Sequence, residues 1–318
     1  MSKVRTAVIG YGFLGKWHAQ KASQLPGGEL KFIVEKFPAG QEAARAAYPN
    51  IQVTADLRPI LSQIDAGIVV TPTSLHFEVA KELLEAGKHV FCEKPLCSTV
   101  AQAKELARLA MANNVLLQVG HSERCHEAWE KLRPQFLKMQ GPLTIRLDRY
   151  AAFKGRATDV DVVQDLMIHD IDLMLWLFGR KVLSVRAWGH KIRTQVWDHV
   201  TAQFTLEGGA EATLTMGRNH VHEVRALEVF HNTGLTRVDL FANKIQTSPN
   251  TDVAPGVFTA EETYGKRDHL LIEQEAFYKS IANGLPAMVT AEEGVRAVQL
   301  VEDVLKALET GNSIKYGA

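Results

Sequence analysis

Cysteine is scarce in this chain of 318 residues: there are three, Cys92, Cys97 and Cys125. Their odd number argues against a disulfide framework, and their spacing matches no metal knuckle. A reduced setting follows, and a cytoplasmic location is expected. An excess of either charge is missing as well. Lys plus Arg and Asp plus Glu both number 36, so the formal net charge is zero. Nothing global draws such a chain to nucleic acid or an anionic membrane, and neither is expected as a partner. No uncharged run is long enough to span a bilayer. No apolar signal segment follows Met1 to Arg5. The sequence also lacks repeats, low-complexity tracts and a long flexible linker. Residues 247–256 are its most loop-like stretch.

What is present is ordinary globular material, 46% hydrophobic and 23% charged. The length suggests two domains, because single cores stop growing well before this size. Residues 1–120 alternate strand and helix signals. Short apolar runs at 4–9, 30–34, 51–54, 66–71, 89–92 and 116–119 are separated by helical stretches at 15–25, 41–48, 77–86 and 100–113. That alternation implies a doubly wound parallel sheet with helices on both faces, a Rossmann domain. After Gly120 the pattern changes. Helices are expected at 127–139 and 165–178, the latter stopped by Gly179, and strands at 143–152 and consecutively through 183–247. Gly208-Gly209 and Gly234 supply hairpin turns. Helices at 268–283 and 291–310 finish the chain. Residues 121–318 therefore read as an α+β domain on a largely antiparallel sheet.

The chemistry begins at Gly10-Tyr11-Gly12-Phe13-Leu14-Gly15. Gly10 permits the tight turn out of the first strand, Gly12 lets the backbone approach a pyrophosphate, and Gly15 allows close helix-to-strand packing. The helix that starts here offers uncapped N–H groups and its positive dipole end to phosphates, with Phe13 and Leu14 in the same cofactor-binding set. Glu35 lies twenty residues past Gly15, at the end of the second strand, where an acid bonds the ribose hydroxyls of NAD. A carboxylate there repels a 2′-phosphate, so NAD is favoured; Lys36 beside it leaves NADP open. Lys94 follows a later strand in Glu93-Lys94-Pro95, and the proline makes it a positioned group rather than a solvated strand end.

A second signal is Asp165-Leu166-Met167-Ile168-His169-Asp170-Ile171-Asp172. Asp165 and His169 are four apart and share a helix face, with Asp172 close to it. A carboxylate one turn from an imidazole favours its proton-accepting role. A buried histidine paired with a carboxylate for stability alone would give the same pattern. A metal site of Asp165, His169 and Asp172 is a further reading, but hydride chemistry does not need the metal, and none is expected.

Taken together, these motifs resemble the glucose-fructose oxidoreductase / inositol dehydrogenase / rhizopine catabolism (Gfo/Idh/MocA) family of NAD(P)-dependent sugar oxidoreductases, over nearly the whole chain. The resemblance rests on Gly10 to Gly15, Thr71-Pro72 with His76, Glu93-Lys94-Pro95, the Asp165, His169, Asp172 segment, and 271–308 with Phe277 and Gly284-Leu285-Pro286. It implies Lys94, Asp165 and His169 as the catalytic group. It places Thr71, Pro72, His76 and Glu93 at the nicotinamide, and implies a homodimer or homotetramer formed through the open face of the second sheet. Many members have glycine between the aspartate and histidine, where this chain has Met167. The run 159–170 with Gly120-His121-Ser122-Glu123-Arg124 resembles a narrower subgroup, the UDP-N-acetylglucosamine 3-dehydrogenases.

The expected reaction is oxidation of a ring hydroxyl of a sugar or nucleotide sugar to a ketone, best the 3-hydroxyl of UDP-N-acetylglucosamine. His169 would take the hydroxyl proton, Asp165 orient it, and Lys94 stabilise the developing oxyanion. A diphosphate needs cations, and Arg124, Lys154 and Arg156, together with Arg149, are the candidates. A glycoside hydrolase using transient oxidation and a non-catalytic NAD- or sugar-binding regulator are the competing readings.

Overall fold

The chain divides into two compact units, Met1–Cys125 with Asp268–Gln299, and His126–Arg267 with Leu300–Ala318. The computed structural model describes residues 3–155, 158–249 and 260–317. The division is discontinuous, where sequence periodicity suggested one boundary near residue 120. The penultimate helix and the first half of the last one belong to the first unit. An amphipathic helix shows that it has a face to bury, and not against what.

The first unit is built on six strands: β1 (Val4–Ile9), β2 (Gly28–Val34), β3 (Gln52–Thr54), β4 (Ala66–Val69), β5 (His89–Glu93) and β6 (Leu117–Gly120). Their order is β3-β2-β1-β4-β5-β6, and every pairing is parallel. The connections are α1 (Phe13–Gln24), α2 (Pro38–Ala47), a 3₁₀ turn at Arg58–Gln63, α3 (Thr73–Glu85) and α4 (Val100–Ala112). Because successive side chains of a strand point to opposite faces, β1 feeds two cores. Ala7 and Ile9 pack with Leu83, Leu84 and Leu106. Val8 packs with Ile33, Ile68, Phe91 and Phe277 on the other face. Full burial of Leu83 and Leu84 contributes about 1.5–3 kcal/mol each. This two-sided burial is why these strands read as unbroken apolar runs.

The chain order reverses between β1 and β4, which lie side by side. The crevice outside the carboxyl ends of these strands is where doubly wound sheets bind ligands. Gly10 and Thr71 flank that crevice.

The second unit opens with α5 (Ala128–Phe136), β7 (Thr144–Tyr150), a π-turn at Val163–Met167 and α6 (Ile168–Phe178). The strands β8 (Val182–His190), β9 (His199–Leu206), β10 (Ala210–Gly217), β11 (Val224–His231), β12 (Gly234–Asp239), β13 (Lys244–Pro249) and β14 (Ala260–Thr263) follow. The chain ends with α7 (His269–Asn283) in the first unit, α8 (Ala291–Thr310) and β15 (Ile314–Lys315). Among the described residues nine strands run β14-β13-β12-β11-β7-β10-β9-β8-β15, with only the β7–β10 pairing parallel. Along β9, buried Val200, Ala202, Phe204 and Leu206 alternate with half-buried His199, Thr201, Gln203 and Thr205, so one face is core and the other open.

The hairpins expected at Gly208-Gly209 and Gly234 form as read, with both residues of the first at positive φ. Two local expectations change. Thr247 to Pro249 belongs to β13 and pairs with β12, while 250–256 fall outside the described residues. The helix expected at 165–178 begins as a wider π-turn before becoming α-helical at Ile168. Among the described residues no helix is long and apolar enough to cross a membrane.

Candidate active site

The glycine-rich turn leaves β1 into α1. Gly10 has φ of 95°, and a Cβ there would lie 2.7 Å from the Val70 carbonyl oxygen. A Cβ on Gly15 would meet the Gly10 carbonyl oxygen at 2.1 Å, so both positions exclude any side chain. Gly12 is the opposite case, with open space around its missing Cβ. It also caps α1 without a side-chain hydrogen bond, and the first turn carries no acidic residue. A diphosphate therefore finds uncapped N–H groups, a bare backbone and no repelling carboxylate.

Glu35 is buried beside this turn. Its Oε2 accepts from Tyr11 N–H at 2.8 Å and its Oε1 from Phe37 N–H at 2.9 Å. Each oxygen keeps a second lone pair for a ribose hydroxyl. Removing Glu35 to alanine is expected to weaken NAD by about 1.5–3 kcal/mol, roughly 10- to 100-fold in Kd. Titration of intrinsic fluorescence with NAD measures it, and an unchanged Kd rules out the ribose role. On the other side of the crevice, Thr71 Oγ1 is buried with no hydrogen-bond partner among the described residues. An orphaned hydroxyl at the end of β4 suits a ligand that supplies its partner. Phe13 and Pro72 are exposed and Leu14 is half-buried.

Lys94 is half-buried at the end of β5, and the Lys94–Pro95 peptide is cis. Buried histidines stand on both sides of it. His76 places Nδ1 2.8 Å from the Pro95 carbonyl oxygen and Nε2 2.9 Å from that of Thr71. Burial holds its pKa below the ordinary value against the pull of those carbonyls, so the neutral ring donates to one of them at a time. His18, from α1, lies 2.8 Å through Nε2 from Glu93 Oε1.

Glu273 of α7 completes a buried group with His18 and Glu93, their ligand-type atoms all within 4.8 Å of one another. Burial pushes the Glu273 carboxyl well up, and the Glu93 charge adds to that. The folded protein therefore keeps a proton that the unfolded chain releases above about pH 4.5. Stability owed to that proton is complete below that pH and falls as pH rises towards the folded value. Gln at this position carries no such penalty. Glu273→Gln should thus melt higher than wild type, by a margin that widens as pH rises, and a margin independent of pH in thermal melts would contradict the neutral carboxyl.

In the second unit, Asp161 Oδ1 accepts from Val163 N–H at 3.0 Å and Gln164 N–H at 2.9 Å, capping the π-turn that carries Asp165. Single π-turns of this kind recur at functional sites. His169 is half-buried on the first turn of α6. Its neighbour Asp170 forms a buried two-pronged pair with Arg149 of β7, both contacts at 2.7 Å, which fixes the helix on the sheet.

Asp165, Lys154, Arg149, Arg218, Arg225 and Phe241 line a cavity of about 150 Å³. Two of its arginines are already committed. Arg149 is held by Asp170, and Arg218 donates through Nε to Asp198 Oδ1 at 2.7 Å. Burial raises the Asp198 carboxyl, but the N–H groups of Arg193 and Thr194 and the Arg218 guanidinium outweigh it and hold it far below the usual range. Lys154 meets Glu223 at 2.5 Å, and the Arg225 guanidinium sits 5.5 Å from the Phe241 ring centroid.

Of the residues picked out by sequence, the second unit thus brings Asp165, Lys154 and Arg149 to one cavity. Arg124 belongs to the first unit, where it is buried and paired with Glu293 at 2.9 Å. Arg156 lies outside the described residues. Sequence reading did not reach Arg225 of β11, Arg218 and Phe241 of the turns after β10 and β12, nor the partners of His18.

A doubly wound parallel sheet in the order 3-2-1-4-5-6 with this cradle, joined to an α+β unit, defines an NAD-binding oxidoreductase of two-domain type. Residues 4–121 match the oxidoreductase family with NAD-binding Rossmann fold, and residues 142–236 match the GFO/IDH/MocA C-terminal domain. The chain is 34% identical over 316 residues to UDP-N-acetylglucosamine 3-dehydrogenase of Acidithiobacillus ferrooxidans, covering 97% of this chain and 98% of that one. A crystal structure of that enzyme superposes with a TM-score of 0.89 at 33% identity, covering 98% and 99% of the two chains. Scyllo-inositol dehydrogenase of Lactobacillus casei with bound NAD(H) and scyllo-inositol has the same fold, with a TM-score of 0.81 at 22% identity over 99% of each chain. The protein belongs to the GFO/IDH/MocA oxidoreductase family.

Proposed function

We propose that this protein oxidises a ring hydroxyl of a nucleotide sugar to a ketone, and specifically the 3-hydroxyl of UDP-N-acetylglucosamine. The observation that carries the reading is full-length similarity to a UDP-N-acetylglucosamine 3-dehydrogenase. The cation-lined cavity beside Asp165 supports it, because a diphosphate-bearing substrate needs such surroundings.

Bound NAD supplies the acceptor for the hydride that leaves the carbon. His169 takes the hydroxyl proton, and Asp165 one turn earlier orients the imidazole. Lys94 stabilises the negative charge that develops on the oxygen. Gly10, Gly12, Gly15, Phe13, Leu14 and Glu35 hold the adenosine diphosphate half of the cofactor, and Thr71, Pro72, His76 and Glu93 border its nicotinamide. Lys154, with Arg225 beside it in the cavity, takes the substrate diphosphate. Arg156 is assigned to the same anionic substrate, whereas Arg124, buried against Glu293, is not. The enzyme works in the cytoplasm as a homodimer or homotetramer formed through the open face of its nine-stranded sheet, with no nucleic-acid or membrane partner.

The test is turnover with NAD and, separately, UDP-N-acetylglucosamine, free N-acetylglucosamine, inositol and glucose. Reduced cofactor with the nucleotide sugar alone is the expected result. Equal turnover with a free sugar removes the nucleotide from the proposal, and no turnover with any of them removes the reaction.

A further inference from the structure

Glu93 precedes Lys94, and both its carboxylate oxygens are engaged. Oε2 accepts from the Lys94 N–H at 3.1 Å, and Oε1 lies 2.8 Å from His18 Nε2. The position of the ring proton on His18 follows from its other neighbour. Gln274 Nε2 lies 3.2 Å from the His18 carbonyl oxygen and 2.7 Å from His18 Nδ1. A carbonyl only accepts, so the amide NH₂ faces it, and the same nitrogen donates to Nδ1. That leaves the ring proton on Nε2, donated to Glu93. The group is anchored from below as well, since Gln118 of β6 donates to the Glu273 carbonyl oxygen at 2.8 Å. Gly120 makes room for it: a Cβ there would lie 2.9 Å from Glu93 Oε1.

His18, Glu93 and Glu273 together also have the makeup of a metal ligand set. Yet His18 uses both nitrogens in hydrogen bonds, Nε2 with Glu93 and Nδ1 with Gln274, which leaves its ring no lone pair for an ion. A buried polar group of this kind stabilises little compared with apolar side chains of the same size.

We propose that His18 is a positioning residue for Lys94. It ties the helix that starts at the cofactor cradle to the Glu93 carboxylate, and through that carboxylate fixes the backbone from which the lysine projects. His76, bonded at Pro95 on the far side, completes the support. The inference rests on the assignment of Lys94 to the reaction.

Three substitutions of His18 separate positioning from packing. His18→Phe keeps a ring beside Phe91, whose centroid is 5.4 Å away, but removes the donor. His18→Asn is too short to reach Glu93, and His18→Gln returns an N–H near the place of Nε2. The expected result is a kcat lowered roughly tenfold or more in the Phe and Asn variants, with NAD Kd within about threefold of wild type and most of kcat recovered in the Gln variant. Folded Phe or Asn variants with normal kcat overturn the proposal, as does a Gln variant as slow as the Asn one. If the Phe variant does not fold, the Asn and Gln pair decides. Lys94→Ala is measured alongside. Full activity there defeats the assignment of Lys94 itself, whereas its loss beside a normal His18→Asn defeats only the positioning role.

Discussion

His169→Ala lowers kcat by roughly 10²- to 10⁴-fold, the range expected when a positioned general base is removed, and leaves NAD binding in place. The size of the effect follows from the chemistry. A sugar hydroxyl holds its proton tightly at neutral pH, and hydride departure builds a carbonyl only as that proton leaves. The effect can be read cleanly because α6 has an anchor apart from His169. Asp170, one residue on, carries the two-pronged pair with Arg149 that anchors α6 to β7. The alanine variant should therefore melt close to wild type. Steady-state kinetics with an NAD titration measure both quantities. A kcat within about threefold of wild type returns His169 to the alternative of a buried histidine kept for stability.

Lys94→Ala has the second largest effect, a loss of roughly 10²- to 10³-fold in kcat, comparable to removing one donor from a preorganised oxyanion site. The turn carrying it keeps two hydrogen bonds that the substitution does not touch, its backbone N–H to Glu93 and the Pro95 carbonyl to His76. Lys94→Arg should recover little, since a planar fork does not place a point charge where an ammonium did. A KM effect with kcat unchanged would instead make Lys94 a uniform binding group and remove it from the chemical step.

The legible parts of this protein were those written in local pattern. Parallel strands buried on both faces gave apolar runs, and β4, buried at all four positions, is the plainest of them. The cradle was legible because Gly10 and Gly15 exclude side chains for reasons of backbone geometry, and such constraints reduce to residue type. Glu35 followed from its distance along a βαβ unit. What needed structure was pairing across long stretches of chain. Nothing in α7 says that Glu273 and Gln274 close onto His18, some 250 positions earlier. His18 itself carried a weak local signal, a polar residue on the core-facing side of α1 with Ala19 and Ala22.

The second unit shows the same limit. The Arg218–Asp198 pair and the Arg225–Phe241 contact join residues that alternation marks only as strand. The π-turn at Asp165 was hidden because one extra residue in a turn leaves the hydrophobic repeat almost unaltered. The discontinuous division of the chain had no signal in composition at all.

Hydride removal from the sugar carbon is followed by isotope transfer to the cofactor. UDP-N-acetylglucosamine carrying deuterium at C3 is incubated with the protein and unlabelled NAD, and the cofactor is analysed by mass spectrometry. The expected products are reduced cofactor one mass unit heavier and a 3-keto nucleotide sugar. Unlabelled cofactor, or deuterium returned to the sugar while its glycosidic bond is broken, would contradict the proposed oxidation, and the second outcome would establish the hydrolase reading in its place.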